Sequence, residues 1–297
     1  MENTAPRETI ARLKAFYETG ATRDPGFRVR MLKKLAGAIR AAEPDIMNAL
    51  REDLRKSQFE SYASEIGILY PEIKYAAKNL RAWSRPERVP TPIIHFLSGS
   101  VIYREPYGTA LIISPWNYPF YLTVGPLVAS MAAGNCSLIK PSELSPATSA
   151  LIEKLIADTF DPSYIAVAQG GVETATAVLA EKFDFIFYTG STAVGRVVMT
   201  AAAKHLTPVA LELGGKSPTI VEPDARLDYA ARRIAWGKFF NAGQTCLAPD
   251  YLMVHRSVRD KFTELLARTI RDFYGDDPRR SPDYARIINE RHFARVA

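Results

Sequence analysis

The feature that most constrains this chain is a change of period near Thr109. From there onward, short apolar runs alternate with helical stretches. Residues 110–114, 137–140, 165–168 and 185–188 read as strands, and residues 124–133, 146–159 and 174–181 between them read as helices. Strands that alternate with helices predict a parallel sheet with helices on its faces. Residues 208–213 add a further strand that ends in Gly214-Gly215, a hinge between domains. Past the hinge, residues 219–222 and 251–255 read as strands and 227–240 as a helix.

Before Thr109 the pattern is helical from residue 8 to residue 84. Met31, Leu32, Leu35 and Ile39 recur at helical spacing, which assigns Arg28, Lys33, Lys34 and Arg40 to the opposite, solvent face. Pro44 is placed to open a new helix with the stripe Ile46, Leu50 and Leu54. Another helix carries Ile66, Leu69, Ile73, Ala77 and Leu80 and ends before Pro86. Residues 93–97 and 100–106 read as two extended runs joined at Ser98-Gly99 into a hairpin.

A chain of 297 residues is expected to form two domains. The boundary falls at the hinge, giving 1–212 and 213–297. The net charge of +6 is mild and its Lys and Arg residues are scattered, which argues against nucleic acid as a partner. Two cysteines, Cys136 and Cys246, exclude a disulfide framework and fit a reducing compartment, so a soluble cytoplasmic protein is expected. The N-terminus lacks the apolar core of a signal peptide. The longest near-apolar stretch, residues 124–134, is shorter than the roughly 20 residues a bilayer requires.

Cys246 follows Asn241-Ala242-Gly243-Gln244-Thr245 in a loop of small and polar residues after a helix. A single cysteine is more often a buried core thiol, but this setting is unlike an apolar strand. A thiolate attacks a carbonyl carbon well and later leaves well. None of the four histidines, His95, His205, His255 and His292, lies in a comparable loop, which disfavours a Cys-His hydrolase. Glu212, between Leu211 and Leu213 at a strand end, is the better base. An apolar setting would raise its pKa, although a carboxylate on the solvent face of an edge strand is the equal alternative. Asn117, in Ser114-Pro115-Trp116-Asn117-Tyr118-Pro119, follows the first strand of the parallel sheet, where ligands bind. Its amide can serve as a fixed donor to an oxyanion, or it is simply a turn asparagine. Gly190 and Ser191 open a helix and can meet a pyrophosphate. Lys140 and Glu143 can either hold the hydroxyls of a ribose or form a salt bridge at a strand end. No cluster has metal-ligand spacing, so no metal is expected.

Five segments in fixed order resemble the aldehyde dehydrogenase superfamily: PWNYP at 115–119, GNCSLIKPSE at 134–143, YTGST at 188–192, LELGGKSP at 211–218 and GQTC at 243–246. The stretches TAAAKHLTPVALELGGKSP and GQTCLAPDY are most similar to the class 3 branch, which handles medium- and long-chain aliphatic and aromatic aldehydes. The resemblance implies an α/β fold: N-terminal helices, a Rossmann-like parallel-sheet cofactor domain, an incomplete α/β catalytic domain and an oligomerisation arm that includes the 93–106 hairpin. It implies Cys246 as nucleophile, Glu212 as the base for a deacylating water, and Asn117 with the Cys246 N–H as the oxyanion hole. It assigns Lys140 and Glu143 to the adenosine ribose of NAD, with NADP also accepted. Gly190 and Ser191 would lie against the pyrophosphate, and Trp116 and Leu213 would add cofactor contacts. Members of the family are longer than this chain, so an absent C-terminal part is expected. That part would hold a Glu-x-Phe-Gly-Pro loop and, in some members, a membrane-anchoring tail. A homodimer is expected at full length, and little turnover from the 297-residue chain alone. The alternatives are a cofactor-binding remnant and an acyl-CoA-linked reductase. Such reductases often lack the base, so the presence of Glu212 argues against the second.

Overall fold

The computed structural model describes residues 6–297. Five helices come first: α1 (Pro6–Glu18), α2 (Pro25–Ala41), α3 (Glu43–Leu54), the short α4 (Gln58–Ser61) and, after a single π turn at Tyr62–Ile66, α5 (Leu69–Trp83). Local chemistry sets their ends. The Asp24 carboxylate caps α2 by accepting from the N–H groups of Gly26 and Phe27, both at 2.8 Å, and Pro25 occupies the first turn. Pro44 lies in the first turn of α3, and Arg55 ends that helix in a left-handed conformation at φ 58°. The stripe Leu32, Leu35 and Ile39 is wholly buried. Arg28 departs from the expected solvent face and is also buried, because its guanidinium donates to the carbonyls of Thr22, Arg23 and Ala132.

The hairpin also differs from expectation. Strand β1 (Glu87–Val89) pairs antiparallel with β2 (Ser100–Ile102), and residues 93–95 form a 3₁₀ turn instead of a strand. Pro90 and Pro92 lack the N–H that a ladder needs. The Thr91 hydroxyl accepts from Ser100 N at 2.9 Å, and Leu97 turns left-handed at φ 77°. The hairpin therefore spans 87–102.

The α/β part follows the expected alternation: β3 (Thr109–Ile113), α6 (Tyr121–Ala133), β4 (Cys136–Lys140), α7 (Pro146–Thr159), β5 (Ile165–Val167), α8 (Val172–Leu179), β6 (Phe185–Thr189), α9 (Thr192–Ala203) and β7 (Val209–Glu212). The five strands form one parallel sheet in the order β5-β4-β3-β6-β7. The chain moves outward from β3 through β4 to β5, then returns to the other side of β3 with β6. The carboxyl ends of β3 and β6 thus flank the point where strand order reverses, the place where α/β sheets bind ligands. All five residues of β4 are buried, as expected for a parallel strand covered on both faces.

After Gly214-Gly215 come β8 (Ser217–Val221), α10 (Leu227–Phe239), β9 (Pro249–Val254), α11 (Arg259–Tyr274) and α12 (Glu290–Val296). Strands β8 and β9 pair parallel as a separate two-stranded sheet. A second, smaller core of Val221, Ala231, Ile234 and Phe262 holds these elements together, apart from the large core that runs from Ile10 to Ala202. Among the described residues no helix is long and apolar enough to cross a membrane.

Candidate active site

Three separate segments converge on Cys246. The first is the loop after β3. The Asn117 side-chain amide donates to the carbonyl of Gln244 at 2.8 Å, and the Tyr118 hydroxyl lies 2.6 Å from the Thr245 hydroxyl. The second is the hinge. A Cβ built on Gly215 would lie 2.7 Å from the Cys246 carbonyl oxygen, so only glycine permits this approach of the two backbones. The third is the Cys246 loop itself, in which Asn241, Ala242 and Gly243 are all left-handed at φ 53°, 52° and 78°. The Cys246 thiol is exposed, and neither it nor its N–H makes a hydrogen bond among the described residues. Cys136 is the opposite case. It is buried in β4, and burial pushes its thiol up to about 12, which leaves it inert as a nucleophile at neutral pH.

Two non-glycine residues in the left-handed region cost roughly 1–2 kcal/mol each. Such strain persists only where the surroundings over-determine it. Here the Asn241 N–H donates to the Glu60 carboxylate at 2.6 Å, and the Asn241 amide donates to the Asn117 carbonyl at 2.7 Å. The Gln244 amide spans to the chain before α12. It donates to the carbonyls of Asn241 (2.9 Å) and Arg286 (3.0 Å) and accepts from Ile288 N at 3.0 Å.

Beneath this loop lies a buried ion pair between Lys56 and Glu65, with both side chains fully inaccessible. Lys56 also donates to the Asn117 carbonyl at 3.1 Å and lies 4.1 Å from the centroid of the Tyr118 ring. The other oxygen of Glu65 accepts from Phe120 N (2.8 Å) and Tyr121 N (3.2 Å). Burial raises the Tyr118 phenol well above its ordinary value, against the opposing hydrogen bond with Thr245. Burial likewise pushes Glu60 up to about 7, against the Lys56 charge and the Asn241 N–H. Lys56, Glu60 and Glu65 carry no local sign of burial in the sequence.

Glu212 ends β7 at the edge of the sheet, and its side chain is exposed rather than set in an apolar pocket. The alternative of a solvent-facing edge-strand carboxylate therefore holds for its environment. Its carbonyl accepts from Gly190 N at 2.9 Å, which joins the hinge to the loop after β6. Leu213 packs over Gly195, where an added Cβ would lie 2.9 Å from the leucine methyl. Ser191 caps α9 by accepting from Val194 N at 3.3 Å, and the first turn of that helix faces solvent.

Lys140, at the end of β4, donates to Glu143 at 2.7 Å, with the lysine side chain 5% exposed and the glutamate 41%. Burial alone would raise the Glu143 carboxyl, but the Lys140 ammonium and the residue's own N–H outweigh it and hold the group below its usual range. Trp116 is half-buried, and its ring packs tilted at 50° against His292 of α12, with centroids 4.6 Å apart. All the expected site residues thus lie along the carboxyl edge of the parallel sheet or on the loop that meets it.

The aldehyde dehydrogenase family model matches residues 6–297. The 4,4'-diaponeurosporen-aldehyde dehydrogenase of Staphylococcus aureus is 50% identical over 283 residues, covering 95% of this chain and 62% of that protein. The dimeric NADP-preferring aldehyde dehydrogenase of Canis lupus familiaris is 46% identical, covering 97% of this chain and 64% of that protein. A substrate-bound structure of Staphylococcus aureus AldH superposes with a TM-score of 0.95 at 48% identity, covering 98% of this chain and 63% of the other. The chain spans a little under two thirds of the length of these relatives. With the family model matched from Pro6 to the last residue and the five motifs gathered at one sheet edge, the chain belongs to the aldehyde dehydrogenase family.

Proposed function

We propose that the protein containing this chain oxidises an aldehyde to a carboxylic acid with NAD or NADP, through a thioester on Cys246. The observation that carries this reading is that the Asn117 loop and the Gly215 hinge both meet the backbone of the loop that presents the exposed Cys246 thiol. The Cys246 thiolate adds to the aldehyde carbon and places the developing oxyanion near the Cys246 N–H. The Asn117 amide carries two hydrogens. One is held by the Gln244 carbonyl, and the other is free for the oxyanion. Collapse of the oxyanion expels hydride and leaves the acyl group on sulfur. A nicotinamide dinucleotide, when bound, would supply the hydride acceptor. Glu212 takes a proton from the water that hydrolyses the thioester. Its exposure at the end of β7, just before the hinge, leaves it free to reach that water.

The cofactor fits the same edge of the sheet. The solvent-facing first turn of α9 offers unpaired N–H groups to a pyrophosphate beside Gly190 and Ser191. Lys140 and Glu143 present an ammonium donor and a carboxylate acceptor to ribose hydroxyls, and Trp116 and Leu213, after β3 and β7, would add further cofactor contacts. Held rigidly, the Glu143 carboxylate would repel a 2′-phosphate, while the dog relative is named NADP-preferring, so both dinucleotides are expected to bind. In this reading residues 1–212 form the cofactor unit and 213–297 belong to the catalytic unit. The substrate class is medium- to long-chain aliphatic or aromatic aldehydes, and the full-length protein is a homodimer.

The test is Glu212→Gln in the full-length protein, followed by stopped-flow NADH absorbance. The expected result is a burst near one equivalent of NADH followed by turnover slowed by about 10²–10⁴-fold, because the base acts only in deacylation. Steady turnover at the wild-type rate would show that another group activates the water.

A second reading concerns the 297-residue polypeptide expressed alone. Ile220, Tyr251 and Met253, on the two-stranded β8–β9 sheet, are 62%, 47% and 46% exposed. Such apolar surface favours aggregation. Poor solubility and little aldehyde-dependent NADH formation are expected, and turnover matching that of the full-length protein would contradict this.

A further inference from the structure

We propose, resting on the reading of Cys246 as the nucleophile, that Glu60 is a positioning residue whose carboxylate holds the Asn241 amide and thereby aims the Cys246 loop. Glu60 belongs to α4, 181 residues before its partner, and is 4% exposed. Its hydrogen bond to Asn241 N, at 2.6 Å, falls on the first of three successive left-handed residues. The Asn241 side chain passes this constraint on. It donates to the Asn117 carbonyl and, at 3.3 Å, to the Gln244 carbonyl, which also takes the Asn117 amide. One carboxylate therefore sets the backbone turn that orients both the thiol loop and the amide donor facing it. Cys246 itself makes no side-chain hydrogen bond among the described residues, so its placement depends on its backbone.

The charged and titratable groups around Glu60 are Lys56 before α4, Glu65 on the π turn, Tyr118 after β3, Tyr274 at the end of α11, and Asp283 with Tyr284 in the segment before α12. Lys56 is the one cation among them, and it is already paired with Glu65. Burial keeps Glu60 protonated up to about pH 7. An ionised carboxylate is the stronger acceptor, so the Asn241 turn is held more firmly above pH 7 than below. Ionisation also opposes folding. A carboxyl whose pKa is raised in the folded state contributes stability at low pH, and that stability is lost as the pH rises through about 7. Glu60 thus trades stability for loop order at alkaline pH, which a purely structural residue would not do.

The experiment compares the wild type with Glu60→Gln in the full-length protein, using Cys246 alkylation by iodoacetamide, read by peptide mass spectrometry, and thermal melting from pH 6 to 8.5. Protonated glutamate and glutamine are close neutral isosteres. The ratio of alkylation rates, wild type over variant, should be near one at pH 6 and rise through pH 7 to about tenfold at pH 8.5, as a charged hydrogen bond gives way to a neutral one. At pH 8.5 the variant should melt several degrees higher than the wild type, with kcat lowered and the KM for nucleotide unchanged. A ratio that does not change with pH, or a variant that melts lower at pH 8.5, would overturn the proposal. Alkylation needs neither aldehyde nor nucleotide. A protein without aldehyde turnover would therefore refute the proposed reaction while leaving this ratio to decide the role of Glu60.

Discussion

Cys246→Ala in the full-length protein is expected to lower aldehyde-dependent NADH formation by roughly four to six orders of magnitude, as loss of a nucleophile does elsewhere. Nucleotide affinity should stay within about twofold, because the Lys140–Glu143 pair and the start of α9 belong to other segments of the sheet edge. The remaining cysteine cannot substitute. Cys136 is buried in β4, and burial pushes its thiol up to about 12. Steady-state assay with isothermal titration of NAD checks both halves. Sustained NADH production by the alanine variant would remove Cys246 from the mechanism.

Lys56→Met should cause the largest loss of stability of any single substitution at the site, about 3–5 kcal/mol. Methionine has nearly the length of lysine, so packing changes little. The change strands Glu65, fully buried against the β3–α6 loop, with Glu60 also buried nearby. It also takes a donor from the Asn117 carbonyl and a cation from the face of Tyr118. The double variant Lys56→Met/Glu65→Leu should recover part of the loss by removing the stranded charge. It should not recover all of it, because the N–H groups of Phe120 and Tyr121 would lose their acceptor at about 1–3 kcal/mol each. Guanidinium unfolding at pH 7.5 measures both variants. A loss below about 1 kcal/mol for the single variant would mean that water or a rearranged partner compensates the buried carboxylate.

The parallel sheet was legible in the sequence because its strands are short apolar runs set between helical stretches, and each expected strand lies within about a residue of its place. The arm was not. Its apolar residues Ile93, Ile94, Phe96 and Leu97 suggest a strand, yet they are exposed, and Pro90 and Pro92 push the pairing back to 87–89. Cys246, Asn117, Lys140 and Glu143 could be selected because each follows a strand or occupies a distinctive loop. The support beneath them could not. Glu60 meets Asn241 across 181 residues and Lys56 meets Asn117 across 61, and a charge gives no local sign that tertiary contacts will bury it. The setting of Glu212 was undecidable for a related reason. Two flanking leucines fit a buried or an edge strand equally well, and only the sheet order, with β7 outermost, separates the two.

In the proposed reaction the acyl group is carried on Cys246. The direct measurement is to mix Glu212→Gln full-length protein with NAD and one equivalent of an aromatic aldehyde, quench in acid within the burst, and map the acyl group by peptide mass spectrometry. The expected result is an acyl adduct on the peptide containing Cys246 in near-stoichiometric yield, absent without NAD and removed by hydroxylamine as a thioester. An adduct on any other residue, or a full burst of NADH with Cys246 unmodified, would contradict the account.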